Sequence, residues 1–428
     1  MNRIRYIFLV SVLLLIVKIF PFYNCENAKL TSQEIYELFI HINDVNQIVP
    51  FIDFFKQRAL QVQIEWLKFF TQRNCSFFWR LYLPMIEPCK FEQDDWVRCC
   101  DFGINNTFVT GSDSGELSLF DINTCKCLIK TQAHNDVINC VSFCPNNQIF
   151  AVGSEDGYIS LYSAADLTLI VKESYKKSPV TALEWVHGST YLVVGYLDGT
   201  IAVLDRAENK VFYFHGHDGE VSSIISMPVN ANPLFVSASH DNFIKVWSLG
   251  DNILIKQFHY LSKNGLACPL YIQPLDSEKF ICTSNGMPPI LYNLENGLCS
   301  LADFFKDDLK RAVVCPDGNL ALLNDTGRVY WANFSNIYSD FWQSHVEKVH
   351  SLIFSKDGRH ALVGAKSKTV FVWSIEKILH ELSIEQILLL IFWNQEDPED
   401  KIKIFESEYW KTVFAEYDSN FQKALLNF

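Results

Sequence analysis

The sequence predicts a mostly β protein built from repeated four-stranded units. Turn residues recur at spacings of 42, 42, 43, 84 and 42, at Ser114, Asp156, Asp198, Asp241, Asp325 and Ser367. Six residues after each turn stands an apolar, mostly aromatic residue: Phe120, Tyr162, Leu204, Trp247, Trp331 and Trp373. Repeats of roughly 40–45 residues are typical of propeller blades. The double spacing places a degenerate copy near Thr283, which makes seven units.

Short β-prone runs occupy matching places within the period. They are Thr107–Thr110, Gln148–Val152, Tyr191–Val194 and His360–Val363. Each leads to a Gly, Ser or Asp turn, and an alternating strand such as Tyr158–Tyr162 or Thr369–Trp373 follows. Single repeats cannot bury their faces alone, and radial closure hides most sheet edges. Over residues 84–380 we therefore predict a seven-bladed β-propeller.

The fourth copy carries polar residues that point to a family. A Gly216-His217 pair is followed by Ser237, Asp241 and, six residues later, Trp247. This pattern resembles a WD40 repeat. The resemblance implies that His217, Ser237, Asp241 and Trp247 form a hydrogen-bonded tetrad that fastens one blade. The residue types allow this, because an indole N–H needs an acceptor and a hydroxyl, an imidazole and a carboxylate can bond in series.

Other copies keep only part of the tetrad. The second has His134 and Asp156 with Val152 and Tyr162, the third has Asp198 with Leu204, and the seventh has His345 and Trp373 with Ser367. We expect these blades to depend more on apolar packing. Phe280–Leu294 contains Pro288 and Pro289. Because proline cannot donate to a central ladder, a broken or edge-like strand is expected there.

Residues 1–24 form a separate segment. Arg3 and Arg5 precede the apolar run Ile7–Val17, and Lys18 interrupts the run. A basic start and an apolar core of this length predict a signal peptide or an N-terminal membrane anchor; a buried apolar helix is the third alternative. Either leading alternative predicts an exported or membrane-anchored protein, and a cytoplasmic one follows if the segment is not a signal.

Residues 30–82 have a helical pattern. Thr31-Ser32-Gln33-Glu34 has the form of a capping box, and a second helix is expected from about Ile48 to Phe70. A short helical module before WD repeats resembles F-box substrate adaptors of ubiquitin-ligase-like complexes, although the usual Leu-Pro opening is missing. The alternative is a helical pair that packs on the propeller. The linker Pro84–Asp95 is expected to supply the outer strand of the last blade.

The tail, residues 383–428, is predicted to be helical. Ser383–Gln386 has a second capping-box pattern, and Asp397-Pro398-Glu399-Asp400 is typical of a helix start. Apolar residues then recur at helical spacing, at Tyr409, Trp410, Phe414, Tyr417 and Phe421. We expect this stripe to pack against the protein; if it does not, it would bind a partner.

Charge and cysteine content narrow the classes of partner. The formal net charge is -13, and basic residues do not cluster, which argues against nucleic acid. The 13 cysteines lack a CxxC…CxxC zinc pattern, and mostly buried thiols are expected. If the chain is exported, Cys75–Cys89 or Cys125–Cys127 could pair. Glycosylation motifs occur at Asn74, Asn105, Asn324 and Asn333.

Function is expected at the rim of the ring. We find no nucleophile elbow, P-loop or HExxH motif, so we predict no catalytic residue, no metal and no cofactor; a propeller enzyme with an unrecognised site is the weaker alternative. In WD40-like rings one rim is formed by the loops before the first strands and the turns before the third. The residues assigned to it are Asp95, Asp113, Asp136, Glu155, Glu220, His240 and Lys348. Five of them are acidic. We therefore predict a protein-interaction scaffold that binds a protein or peptide partner, and the acidic rim favours a basic one. Contact with a membrane is expected only through residues 1–24, if that segment is not cleaved.

Overall fold

A computed structural model describes residues 31–40, 42, 45–82, 86–103, 106–146, 148–186, 191–227, 233–260, 269, 271–284, 287–301, 309–324, 328–332, 337–343, 349–365, 368–375, 382 and 384–395. These residues divide into two units. A helical unit falls within Met1–Pro84, Asp357–Arg359 and Ile375–Phe428, and a β unit within Met85–Lys356 and His360–Ser374.

The β unit is a seven-bladed propeller of four-stranded antiparallel sheets, which confirms the predicted fold class. The strands in chain order are β1 (Cys89–Glu92); β2 (Val97–Phe102), β3 (Thr107–Ser112), β4 (Glu116–Asp121) and β5 (Lys126–Gln132) of blade 1; β6 (Ile138–Phe143), β7 (Ile149–Ser154), β8 (Ile159–Ser163) and β9 (Leu169–Glu173) of blade 2; β10 (Val180–Val186), β11 (Tyr191–Tyr196), β12 (Ile201–Asp205) and β13 (Lys210–Phe214) of blade 3; β14 (Val221–Met227), β15 (Leu234–Ser239), β16 (Phe243–Ser248) and β17 (Ile253–His259) of blade 4; β18 (Tyr271–Pro274), β19 (Lys279–Ser284), β20 (Met287–Asn293) and β21 (Gly297–Leu301) of blade 5; β22 (Leu309–Val314), β23 (Leu320–Asn324), β24 (Arg328–Ala332) and β25 (Ile337–Gln343) of blade 6; and β26 (Val349–Phe354), β27 (His360–Ala365) and β28 (Thr369–Ser374) of blade 7.

Glycines set the close approach of neighbouring blades. Gly111, Gly153 and Gly195 lie 42 residues apart near the ends of β3, β7 and β11. A Cβ at Gly153 or Gly195 would overlap Val180 or Val221 at the start of the next blade. A larger residue would force the blades apart, so the glycine recurrence follows from packing.

Polar side chains on the innermost strands also join the blades. β6, β10 and β14 each have a bulge at their second residue. The bulge residues donate to a carbonyl at or just before the start of the next inner strand: Asn139 Nδ2 to Val180 O at 3.0 Å, Thr181 Oγ1 to Val221 O at 2.7 Å and Ser222 Oγ to Pro269 O at 2.7 Å. A bulge re-aims a side chain, here towards the neighbouring sheet. These bonds do not involve any tetrad residue.

Blade 5 corrects one expectation about the strands. β20 contains Pro288 and Pro289, yet it is continuous and lies between β19 and β21. The ladder to β19 instead shifts register between Cys282 and Ser284, opposite the two prolines. The sheet therefore accommodates the missing N–H donors through an irregularity in the pairing.

The linker before blade 1 closes the ring, as the sequence predicts. β1 pairs with β28 of blade 7, from Cys89 opposite Val372 to Glu92 opposite Thr369. Cys89 forms a disulfide with Cys125 in the turn between β4 and β5. The structure contains neither of the two pairs that the sequence allowed for an exported chain, because closure brings together residues that lie 36 positions apart.

The helical unit contains α1 (Ser32–Ile40), α2 (Val45–Lys56), α3 (Leu60–Arg73), α4 (Cys75–Tyr82) and α5 (Ile384–Gln395). At α1, Thr31 N donates to Glu34 Oε2 at 2.9 Å, which closes the predicted capping box. The single helix expected from Ile48 to Phe70 is wrong, because the chain turns between Lys56 and Leu60.

Aromatic rings form the core of the helical unit. Phe39 lies 5.3 Å from Phe51 and 5.1 Å from Phe70, and Phe55 contacts Trp66 at 5.3 Å. Residues 387–392 of α5 are fully buried, and α5 packs against α2. Exposed large apolar side chains on the described helices are Ile40 and Ile64. The substrate-adaptor interpretation stays a prediction.

Several sequence predictions fall outside the described residues. They are the segment 1–24, the tail beyond Gln395 with its aromatic stripe, and the capping residue Ser383. Among the residues that are described, none belongs to a helix long and apolar enough to span a bilayer.

Candidate functional site

The residues of the predicted tetrad form one hydrogen-bonded chain in blade 4. Trp247 Nε1 donates to Ser237 Oγ at 2.9 Å, and this hydroxyl lies 2.8 Å from His217 Nε2. His217 Nδ1 lies 2.8 Å from Asp241 Oδ2. Because the Asp241 carboxylate can only accept, His217 Nδ1 carries the ring proton and donates it to Asp241. Nε2 of the neutral ring is then an acceptor, and Ser237 donates its hydroxyl proton to it. These hydrogen bonds link β16, β15, the loop before β14 and the turn between β15 and β16.

Asp241 ends this chain and caps the local backbone. Its carboxylate accepts from Asp218 N at 3.1 Å and Phe243 N at 2.9 Å, besides His217. Burial opposes ionisation of Asp241, but these hydrogen bonds outweigh it and lower its pKa to about 2. All the groups are saturated within the blade, which indicates a structural role.

Blade 2 keeps half of this chain. His134 Nδ1 lies 3.0 Å from Asp156 Oδ2, but Val152 stands where blade 4 has its serine. His134 Nε2 is therefore buried without a hydrogen-bond partner among the described residues. Burial also lowers the pKa of His134, against the raising effect of Asp156. An unpartnered buried nitrogen costs stability.

Blade 3 substitutes an ion pair. Lys176 Nζ lies 2.6 Å from Asp198 Oδ2, and the two residues are 22 positions apart, as His134 and Asp156 are. Lys176 thus takes the place of the histidine. Alignment of the blades by their period could have shown this substitution.

Four blades present matched pairs of residues on one rim. In each, the N–H before the turn residue donates to the carbonyl just before the first strand. The bonds are Asp113 N to Trp96 O at 2.9 Å, Glu155 N to Val137 O at 2.9 Å, Leu197 N to Pro179 O at 3.0 Å and His240 N to Glu220 O at 2.9 Å. These backbone bonds define the rim of blades 1 to 4.

The predicted rim residues match these pairs unevenly. Asp113, Glu155, Glu220 and His240 belong to them, whereas Asp95 and Asp136 each come one residue earlier. Lys348 lies outside the described residues. Sequence reasoning missed Trp96 and Leu197, which are 47% and 46% exposed. Both belong to these pairs, Trp96 just before a first strand and Leu197 just before a turn residue.

Comparison with protein families gives three matches to the WD domain, G-beta repeat, at residues 125–163, 208–248 and 337–374. Each match begins within or just before the outer strand of one blade and ends with the third strand of the next. The chain contains WD40 repeats within a seven-bladed propeller. Each WD40 repeat therefore joins two neighbouring blades covalently. No curated protein matches the sequence.

The acidic residues of the WD40 rim differ in their partners. Arg98 Nε lies 2.5 Å from Asp113, and His240 Nδ1 lies 3.3 Å from Glu220. Asp136 is exposed and accepts from Val137 N at 2.8 Å, while Glu155 is exposed and forms no ion pair with a described residue. Arg98 thus neutralises Asp113 within the protein, whereas the carboxylates of Asp136 and Glu155 are available to attract a cation.

Beneath the rim, the first strands of all seven blades line a cavity of about 390 Å³. Asp101 Oδ2 accepts from Phe143 N at 2.8 Å, and Glu184 Oε1 accepts from Ser226 N at 3.3 Å, each on the next blade. Burial raises the pKa of Asp101 to about 6 and that of Glu184 to about 8, against these hydrogen bonds. Both carboxyls cap edge amides of the neighbouring blade.

WD40 propellers are typically non-enzymatic scaffolds that mediate protein–protein interaction. The carboxyls of the cavity satisfy backbone donors, and no group of three metal-ligating side chains occurs among the described residues. The contacts between blades therefore account for the two carboxyls of the cavity, Asp101 and Glu184.

Proposed function

We propose that this protein is a non-catalytic scaffold whose rim over blades 1 to 4 binds a basic segment of a partner protein. The supporting observation is an excess of carboxylates in the rim loops. Asp95, Asp136, Glu155 and Asp218 form no ion pair with a described residue. Their negative field would concentrate Lys- or Arg-rich surfaces and accelerate association at low salt.

Apolar side chains between these acids give the rim a contact surface. Trp96 and Leu197 are about half exposed and lie beside Asp95 and Asp198, respectively. Tryptophan commonly dominates binding energy when a partner buries it, whereas rim charges mainly set the association rate. The partner segment we propose therefore carries basic residues around an apolar anchor.

The test begins with the partner. The full chain is used to capture proteins from its native source, and a captured protein is then purified. Its association rate is measured with wild type, with Asp136→Lys/Glu155→Lys, and with Lys177→Glu as the control that makes the same rim more acidic. We expect about a tenfold slower association for the double variant at low salt, an equal or faster rate for the control, and convergence at high salt.

Two results would distinguish the acidic rim, the use of this rim for binding and the scaffold function from one another. Equal rates for all three proteins would refute the acidic rim but not the scaffold. A partner that binds Trp96→Ala/Leu197→Ser as tightly as wild type would refute the use of this rim.

We also propose that the protein is exported or anchored outside the cytoplasm through residues 1–24. The Cys89–Cys125 disulfide supports this, because such bonds persist in oxidising compartments. Two of the four glycosylation motifs are unsuitable, since Asn74 and Asn324 are buried in the folded protein. Asn105 and Asn333 lie outside the described residues. Glycosidase treatment of protein from its source should release sugar only from these two, and a cytosolic, fully reduced protein would refute export.

A further inference from the structure

The seam of the ring depends on one short strand. β1 has four residues, forms its ladder with β28 of blade 7, and precedes blade 1 in the chain. Its buried residue Phe91 packs on blade 1, at 5.0 Å from Phe108 and 5.2 Å from Phe120. β1 is thus hydrogen-bonded to the last blade and packed against the first.

The disulfide fixes the free end of this strand. The chain ties the Glu92 end of β1 to blade 1 through the short link to β2, and the Cys89–Cys125 bond ties the other end to the same blade. Both ends are therefore anchored, so the strand is held in place for β28. Tethering of this kind reduces the freedom of the open state.

A third cysteine lies beside this bond. Cys127 is the exposed thiol among the described free cysteines, and it follows Cys125 by two residues. Cα atoms two residues apart are separated by at most about 7 Å, which is within reach of the usual disulfide span. Cys125 itself is exposed, so its sulfur is accessible to a neighbouring thiolate.

We propose that Cys89, Cys125 and Cys127 form a thiol–disulfide switch that fastens or frees the closing strand of the ring. The Cys127 thiolate attacks the Cys125 sulfur, and a Cys125–Cys127 bond forms as the Cys89–Cys125 bond breaks. Cys89 leaves as a thiolate and takes up the proton that Cys127 lost. The exchange consumes no external oxidant or reductant.

The exchange changes what holds the seam together. With Cys89 released, the Cys89 end of β1 loses its covalent tie to blade 1, and its ladder to β28 and the packing of Phe91 remain. Burial raises the pKa of Cys127, against the lowering effect of Lys130. Little thiolate is therefore present near neutrality, and the switch should be slow there and faster at higher pH.

The test uses the full chain, purified without reductant and incubated without oxygen at pH 7 and pH 9. Samples are quenched in acid, free thiols are alkylated, and disulfides are mapped by mass spectrometry. We expect a Cys125–Cys127 bond and an equal amount of alkylated Cys89 to grow together, roughly fifty- to a hundredfold faster at pH 9, because the thiolate fraction of a thiol with a raised pKa increases by that factor. In Cys127→Ser only the Cys89–Cys125 bond should be found at either pH.

Hydrogen exchange of residues 369–374 gives the second measurement. We expect at least a threefold faster exchange of this strand in Cys89→Ser than in Cys127→Ser, because only the latter keeps the seam fastened. Two results would overturn the switch: a Cys89 that stays unalkylated at both pH values, or equal exchange of β28 in the two variants.

Discussion

Removal of the Ser237 hydroxyl should destabilise blade 4. In Ser237→Ala the indole N–H of Trp247 loses its acceptor and His217 Nε2 loses its donor, and both groups are buried. An unsatisfied buried polar group costs about 1–3 kcal/mol. Two such groups give an expected loss of about 2–6 kcal/mol in the free energy of unfolding, since the space left by one hydroxyl is too small for water.

The matched control is Ser284→Ala in blade 5. Ser284 is equally buried, but its Oγ has no hydrogen-bond partner among the described residues, so its removal should change stability little. Urea titration followed by tryptophan fluorescence compares the two variants with wild type. Hydrogen exchange of residues 234–248 locates the loss in blade 4.

A double-mutant cycle measures the coupling energy between Ser237 and Trp247 within the tetrad. Trp247→Phe removes the donor, so Ser237→Ala should cost about 1 kcal/mol less in that background than in wild type. The reasoning fails if Ser237→Ala costs under about 0.5 kcal/mol, or if the two substitutions are additive.

Three further predictions concern buried polar groups. Val152→Thr should stabilise the protein by about 1 kcal/mol in thermal unfolding, because its hydroxyl can meet His134 Nε2 at nearly constant volume; an unchanged midpoint would contradict it. The pKa of Asp241 is 3.8 in the unfolded chain and about 2 in the folded protein. Its ionisation therefore adds about 2 kcal/mol to the free energy of unfolding above pH 4, and this contribution is lost as the pH falls through 2. Asp241→Asn should therefore flatten acid unfolding measured by circular dichroism between pH 4 and 2, and an unaltered slope would refute this. The pKa of Glu184 rises from 4.5 unfolded to about 8 folded, so this group lowers stability as the pH rises between those values, by roughly 3 kcal/mol from pH 5 to 7. Glu184→Gln keeps an acceptor for Ser226 N and should be more stable than wild type at pH 8 but not at pH 5 in urea titrations.

The fold could be predicted from the sequence because the residues that determine it recur in each blade. The turn aspartates at 156, 198 and 241 cap backbone amides two residues on, and the glycines at 111, 153 and 195 admit the next blade. Each requirement recurs once per blade, so it leaves a period in the chain. Features that occur once leave none: the Cys89–Cys125 bond depends on ring closure, and no local pattern marks it.

The rim could be predicted to within one residue in places. Asp95 and Asp136 precede the paired positions because the loops into the first strands differ in length. Trp96 and Leu197 were not predicted because only charged residues were considered for the rim surface. The partners of Asp113 and Glu220 could not be predicted from the sequence either. Arg98 is directed to Asp113 by a bulge in β2, and His240 lies in the turn that faces Glu220. Charge counted along a sequence does not show which charges are paired in space.

The loss of tetrads in this ring has a structural explanation. Blade 3 has no histidine in its loop, yet Leu197 N still donates to Pro179 O at 3.0 Å, as the equivalent residues do in blade 4. Thr181 meanwhile donates to Val221 O, as Ser222 donates to Pro269 O. These bonds set the position of the rim and join the blades, and they need only backbone groups or a small hydroxyl. The tetrad of blade 4 therefore adds stability to a geometry that blades 1 to 3 reach without it, and the backbone bonds of the rim are the same in all four blades.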